Sequence, residues 1–221
     1  MTRLALVLAA ALAATPALAQ QGPDIDKVNG SITAEAGRSY GKLDTVNGSI
    51  RIEADARTGD AETVNGSIRV AGQARTGDLG TVNGSVRVGS QAVVDGGIET
   101  VNGSVFVDRG SRVAAGVETV NGAIGLVDTD LGGGIETVNG DVTVGIGSHV
   151  RGGLTVRKPQ AQWIRIGKQR PPRIVIGPNA RVDGPLVFER EVRLYVHETA
   201  TIGPVTGAIA VRYSGARAPK D

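Results

Sequence analysis

Few side chains in this chain have the types that do covalent or metal chemistry. There is no cysteine, and the two histidines are His149 and His197. A zinc centre draws on about four ligands, and a Ser–His–Asp relay needs an oriented base beside its nucleophile. Neither histidine has such company in the sequence, so both read as surface or corner residues. No glycine pattern matches a phosphate-binding loop or a dinucleotide fingerprint. The expectation is a non-enzyme with no catalytic residues, cofactor or metal.

The side chains that recur at regular spacing carry oxygen. A phrase, Val-Asn-Gly followed by Ser, Ala or Asp and then Ile or Val, is written seven times. Its asparagines are Asn29, Asn47, Asn65, Asn83, Asn102, Asn121 and Asn139, separated by 18, 18, 18, 19, 19 and 18 residues. Asparagines repeated at one corner of a stack can hydrogen-bond one to the next. Asn-Gly-Ser also matches a glycosylation acceptor, but a ladder explains the regular repetition more economically.

Two neighbouring columns carry further chemistry. Two residues before the valine stand Asp26, Asp44, Glu62, Gly80, Glu99, Glu118 and Glu136. Stacked carboxylates can collect a hard cation such as calcium, or simply keep a face acidic and soluble. The residues lack the Gly-Gly-x-Gly-x-Asp spacing of calcium-loaded β-rolls, which favours the acidic face. One residue before the valine stand Lys27 and then Thr45, Thr63, Thr81, Thr100, Thr119 and Thr137. If the valines point inward, these threonines and the asparagines form an outward Thr-x-Asn array, a candidate surface-binding array.

The elements that must hold these columns follow from the period. Val28, Val46, Val64, Val82, Val101, Val120 and Val138 mark position zero. Positions minus three, plus four and plus six are apolar in every copy, as in Ile98, Val105 and Val107. Plus four and plus six alternate with an exposed-type residue such as Arg51, Arg69 or Arg87, which is strand periodicity. β-Branched residues dominate, and no 3.6-residue period is present. Each unit therefore reads as about three short strands and three corners. One unit alone buries too little: about five small side chains at ~1.5–3 kcal/mol each do not offset ~1–2 kcal/mol per ordered residue. Stacking closes the gap. The predicted fold is all-β, a single-stranded parallel β-solenoid of about 18 residues per coil and roughly ten coils, with its handedness left open. This reading places Val82 in the core, where an aspartate would cost several kcal/mol.

Residues 1–19 read as a secretory signal peptide: Arg3, an apolar run over 4–14, and a cut after Ala17-Leu18-Ala19. The run is too short to span a bilayer, so no transmembrane segment is expected and the chain is read as exported. Residues 20–153 form the regular coils. Residues 154–215 keep strand patterns without the phrase, as in Trp163-Ile164-Arg165-Ile166, Ile174-Val175-Ile176 and Leu194-Tyr195-Val196. They read as irregular terminal coils and a cap of aromatic rings and prolines, with a basic excursion from Lys158-Pro159 to Pro171-Pro172. Residues 216–221 read as a disordered tail. Residues 1–150 hold 11 Lys+Arg and 17 Asp+Glu, whereas 151–221 hold 13 and 5. The body is thus acidic and the far end basic, which favours end-to-end association or an acidic partner. Nucleic acid is not an expected partner, because the basic part lacks interleaved stacking aromatics.

The phrase Glu-Thr-Val-Asn-Gly-Ser-Ile/Val-Arg-Val, repeated over 24–145, resembles head domains of bacterial adhesin-type proteins built from single-stranded β-helices. The phrase Ile-x-Ile-Gly-x-x-Ala-x-Val-x-Gly-x-Leu over 174–186 resembles coils of bactofilins, polymer-forming β-helical proteins. Bactofilins are typically cytoplasmic, whereas this chain opens with an export signal. The resemblances imply a non-catalytic structural or adhesive β-solenoid of the bacterial cell envelope, in the periplasm or on the cell surface. Its implied partners are further copies of itself, as homo-oligomer or polymer, or an acidic envelope glycan or another protein. Two alternatives stand beside this: an ice-binding protein using the Thr-x-Asn array, and a glycan-acting β-helical enzyme.

Overall fold

The computed structural model describes residues 22–159 and 170–219. Residues 1–19, read as a signal peptide, the strand read at Trp163-Ile164-Arg165-Ile166 and residues 220–221 lie outside the described residues.

One coil shows how the repeat folds. Ile98–Asn102, Val105–Val107 and Arg112–Val113 are its three strands, and Asn-Gly forms the corner between the first two. Each strand pairs in parallel with its equivalents above and below, like residue on like residue: Thr81 on Thr100 on Thr119, and Val86 on Val105 on Ile124. The first and second strands of successive coils build two ten-stranded sheets, and the third strands build a seven-stranded sheet. The result is a three-sided β-solenoid of about nine turns with no helix among the described residues, as the period predicts.

The interior is a single apolar column. Positions minus three, plus four and plus six fill it, with Leu79, Val86, Val88 and their equivalents almost completely buried. Val94, Val113, Leu131 and Val150 close it from the third sheet. Small branched side chains suit coils separated by about 4.8 Å.

Position zero is a correction. Val46, Val64, Val82, Val101 and Val120 are about 40% exposed (Val82, 39%), and Val28 is 68% exposed. The threonines one residue earlier are the buried ones: Thr45, Thr63, Thr81, Thr100, Thr119 and Thr137 are at most 5% exposed. The strand alternates without a break from minus three to zero, and the chain bends only after the asparagine. With Ile98 pointing in, Glu99 points out, Thr100 in and Val101 out. The outward Thr-x-Asn array therefore does not exist, and Val82 is not a core residue.

Inward threonine is stable because its hydroxyl finds a partner. Thr63 Oγ1 donates to the Gly48 carbonyl at 2.8 Å and Thr81 Oγ1 to the Gly66 carbonyl at 2.9 Å, each reaching the Asn-Gly corner of the preceding coil. Thr45, Thr100 and Thr119 do the same. A buried hydroxyl with a hydrogen bond is tolerated where a bare one is not. Thr137 Oγ1 is the exception, buried with no partner among the described residues.

The glycine of Asn-Gly answers to a close contact more than to backbone conformation, although Gly30 and Gly122 also have positive φ, 112° and 152°. A Cβ at Gly66 would lie 1.9 Å from the Gly48 carbonyl oxygen, and one at Gly84 1.9 Å from that of Gly66. Close stacking of corner on corner excludes any side chain. A regular run of left-handed residues, with φ between 47° and 69°, falls at the corner between the second and third strands, at Gly37, Asp55, Gln73, Gln91, Gly110, Asp128, Gly147 and Asn179.

The stack continues beyond the last Val-Asn-Gly. Leu154–Val156, Leu186–Phe188 and Val205–Thr206 extend the first sheet, and Arg173–Ile176, Arg193–His197 and Ala210–Tyr213 the second. The segment read as a basic excursion falls between Leu154–Val156 and Arg173–Ile176, the interval that Asn-Gly fills in earlier coils, and only its two ends are among the described residues. Arg157 pairs with Glu136 and Arg170 with Asp141 at its two roots. At the far end Phe188 and Tyr213 are buried, and Tyr213 meets the His197 ring edge-on at 5.0 Å. Part of the tail is anchored: the Pro219 carbonyl accepts a bond from Arg173 at 2.6 Å.

Candidate functional site

The outer surface of the first sheet carries the most regular chemistry on the molecule. Its first seven strands are five residues long, so each presents two outward positions, filled by a carboxylate (glycine at Gly80) and a valine. In-register stacking turns these into two parallel columns. Asp26, Asp44, Glu62, Glu99, Glu118 and Glu136 make one, interrupted at Gly80; Val28 to Val138 make the other. Together they line a shallow groove of about 960 Å³ along the stack.

Burial, helped by neighbouring like charges, perturbs two members of the acidic column. Burial, followed by the charges of Glu136 and Glu99, raises the Glu118 carboxyl above the usual carboxylate range. Burial likewise raises Asp44, although a hydrogen bond from Lys42 opposes it. Lys42 bridges Asp44 at 3.3 Å and Glu62 at 3.5 Å near one end. Arg157 grips Glu136 at the other, with its second nitrogen 2.8 Å from the carboxylate. Glu99 and Glu118 have no direct ion pair among the described residues.

The asparagines form the predicted ladder along the adjoining corner. Each side-chain nitrogen donates to the oxygen of the asparagine one coil earlier at 3.0 Å, from Asn47 to Asn29 through Asn139 to Asn121. Arg190 donates to the oxygen of Asn139 and ends the series.

The histidines lie on different sheets and do not meet. His149 sits on the third sheet, its Nε2 2.7 Å from Asp183. Arg151 and Arg181 pair with Asp130 and Asp183 beside it. Hydrogen bonds from those arginines hold both carboxyls below their ordinary range. This is an exposed chain of alternating charge that ties coils together. His197 is buried rather than at the surface, with Nδ1 2.9 Å from Thr199 Oγ1. Among the described residues no group of three or more His, Asp or Glu side chains is arranged to hold a metal ion. No helix among them is long and apolar enough to cross a membrane.

The surface valine column escaped the sequence reading. Its signal was present, because the unbroken strand from Ile98 to Asn102 fixes Val101 on the side opposite Ile98. The chain matches no family model, no curated protein and no solved structure.

Proposed function

We propose that the chain is a non-catalytic structural or adhesive β-solenoid of the bacterial cell envelope, with the valine–carboxylate face of the first sheet as its working surface. One observation carries the reading. The outward alternation of carboxylate and valine persists over successive coils although neither column fills the core. The exposed valines fill no core position, and contiguous exposed apolar stripes mark contact sites. The signal-like residues 1–19 and the resemblance of the coils to adhesin heads and bactofilins support the location and the scaffold role. A stiff rod with a repeated face meets its partner many times over, so weak single contacts sum to firm attachment.

The test is to incubate the purified chain with isolated bacterial envelope fragments. The expected result is co-sedimentation with the fragments, weakened by salt, with no soluble sugar released. Progressive release of sugar would overturn the scaffold reading in favour of a glycan-acting enzyme, and failure to sediment would remove the envelope role.

A further inference from the structure

Two outward columns on different sheets spell complementary patterns. Over four successive coils the first sheet presents Asp26, Asp44, Glu62 and Gly80. Over four successive coils the second sheet presents Arg51, Arg69, Arg87 and Phe106. Both columns run in chain order along the same axis with the same rise, because both are built by the same coils. We propose that the first sheet of one molecule docks against the second sheet of a second copy, with the rods parallel and displaced by one coil. Asp26 then faces Arg51, Asp44 faces Arg69, Glu62 faces Arg87, and the Phe106 ring faces the gap at Gly80. This rests on the scaffold reading and deepens it by naming the partner of the valine–carboxylate face.

Three further observations favour this occupant. First, the gap at Gly80 is not imposed by the fold. A Cβ there would meet only the Glu62 side chain, at an ordinary 3.5 Å, whereas most corner glycines face backbone within about 2–3 Å. Second, the match continues past the four coils in bulk: Gly125 follows Phe106 on one column while Glu99 follows Gly80 on the other. Third, the alternatives within one molecule are weak. Arg51 lies 3.9 Å from Glu53, Lys42 spans the half-buried Asp44 and the exposed Glu62, and Arg87 stacks on Phe106 at 5.0 Å. Exposed pairs of this kind contribute little and exchange readily for contacts across an interface.

The valines complete the contact. Arginine stems are apolar and lie along apolar surface while the guanidinium reaches outward, so the Arg column covers Val46, Val64 and Val82 as it reaches the carboxylates. Like faces repel: acid meets acid, or arginine meets arginine. The contact is therefore heterologous, using two different patches of each molecule, and can repeat from copy to copy.

Sedimentation velocity on the purified chain tests this directly. Association should be concentration-dependent at about 20 mM salt, and its dissociation constant should rise at least about tenfold at about 0.5 M salt. Two charge-reversed forms separate this contact from end-to-end stacking. One carries Arg51→Glu, Arg69→Glu and Arg87→Glu; the other carries Asp26→Arg, Asp44→Arg and Glu62→Arg. Each alone should be monomeric, and an equal mixture should associate again. Gly80→Glu should weaken self-association of the otherwise unchanged chain about tenfold by filling the gap and adding a charge opposite Phe106. These positions lie on outer faces of the sheets, with Asp44 and Gly80 half-buried, and circular dichroism verifies that the strands persist. A chain that stays monomeric at low salt overturns the proposal, as does association that survives both reversals or a mixture that stays monomeric. None of these outcomes touches the envelope assay, which reports on the scaffold reading separately.

Discussion

The Arg190 guanidinium donates to the side-chain oxygen of Asn139 and to the neighbouring Val138 carbonyl, occupying the place that the next asparagine would take. The ladder thus ends on a cation rather than on water, at the corner where the segment read as a basic excursion begins. An interior asparagine makes two ladder bonds and an end one makes a single bond. Asn83→Ala, which breaks bonds to both Asn65 and Asn102, should destabilise the fold by about 1–2 kcal/mol. Asn29→Ala should cost about half of that. Urea unfolding of the two variants checks the difference.

The buried threonines make a sharper contrast. Thr81 donates to a carbonyl and Thr137 to nothing among the described residues. Thr81→Val should cost about 1 kcal/mol, whereas Thr137→Val should be neutral or stabilising, because it removes a buried hydroxyl without a partner. Equal losses in chemical denaturation would contradict the assignment.

Val82 and Val86 test the alternation. Val86 is 1% exposed and Val82 is 39% exposed. Val86→Asp should cost several kcal/mol or abolish folding, because it strands a carboxylate in an apolar interior. Val82→Asp should fold with a small loss, since its side chain stays in solvent. Thermal melts of both variants decide the matter.

These three predictions mark where sequence and structure agree and where they part. The coil length and the apolar columns at Leu79, Val86 and Val88 were legible because period and residue type agree. The orientation of Val82 was not, because residue type alone argued for the interior. Only the location of the bend, after Asn83 rather than before Val82, sets which side it faces. The glycine of Asn-Gly was legible as a corner but not as a close contact, since the clash involves a carbonyl one coil away. The asparagine ladder was legible because equal spacing places like side chains over one another. The valine–carboxylate face follows only once the parity of Thr81 is known.

Acidity should act on the carboxylate column with a definite sign. The folded Glu118 carboxyl holds its proton more tightly than an unfolded one, because of burial and then Glu136 and Glu99. A raised folded value contributes stability that is full below the ordinary glutamate range and is lost as pH rises through the raised value. Glu118→Gln should therefore melt higher than the parent chain at about pH 7, with the difference vanishing near pH 3. A parent chain that melts higher at neutral pH would contradict the burial and crowding of this carboxylate.

The most direct measurement concerns the stacking itself. Thr63 pairs with Thr81 one coil on, so removing residues 64–81 joins Thr63 to Val82 and leaves every later column aligned. That chain should fold cooperatively with its strand spectrum intact and form a rod about 4.8 Å shorter by small-angle scattering. Removing only 64–72 moves each later coil out of register and should abolish the cooperative melt. If both deletions fold equally well, or both fail equally, the coils are not interchangeable layers of one column and the account of this molecule is wrong.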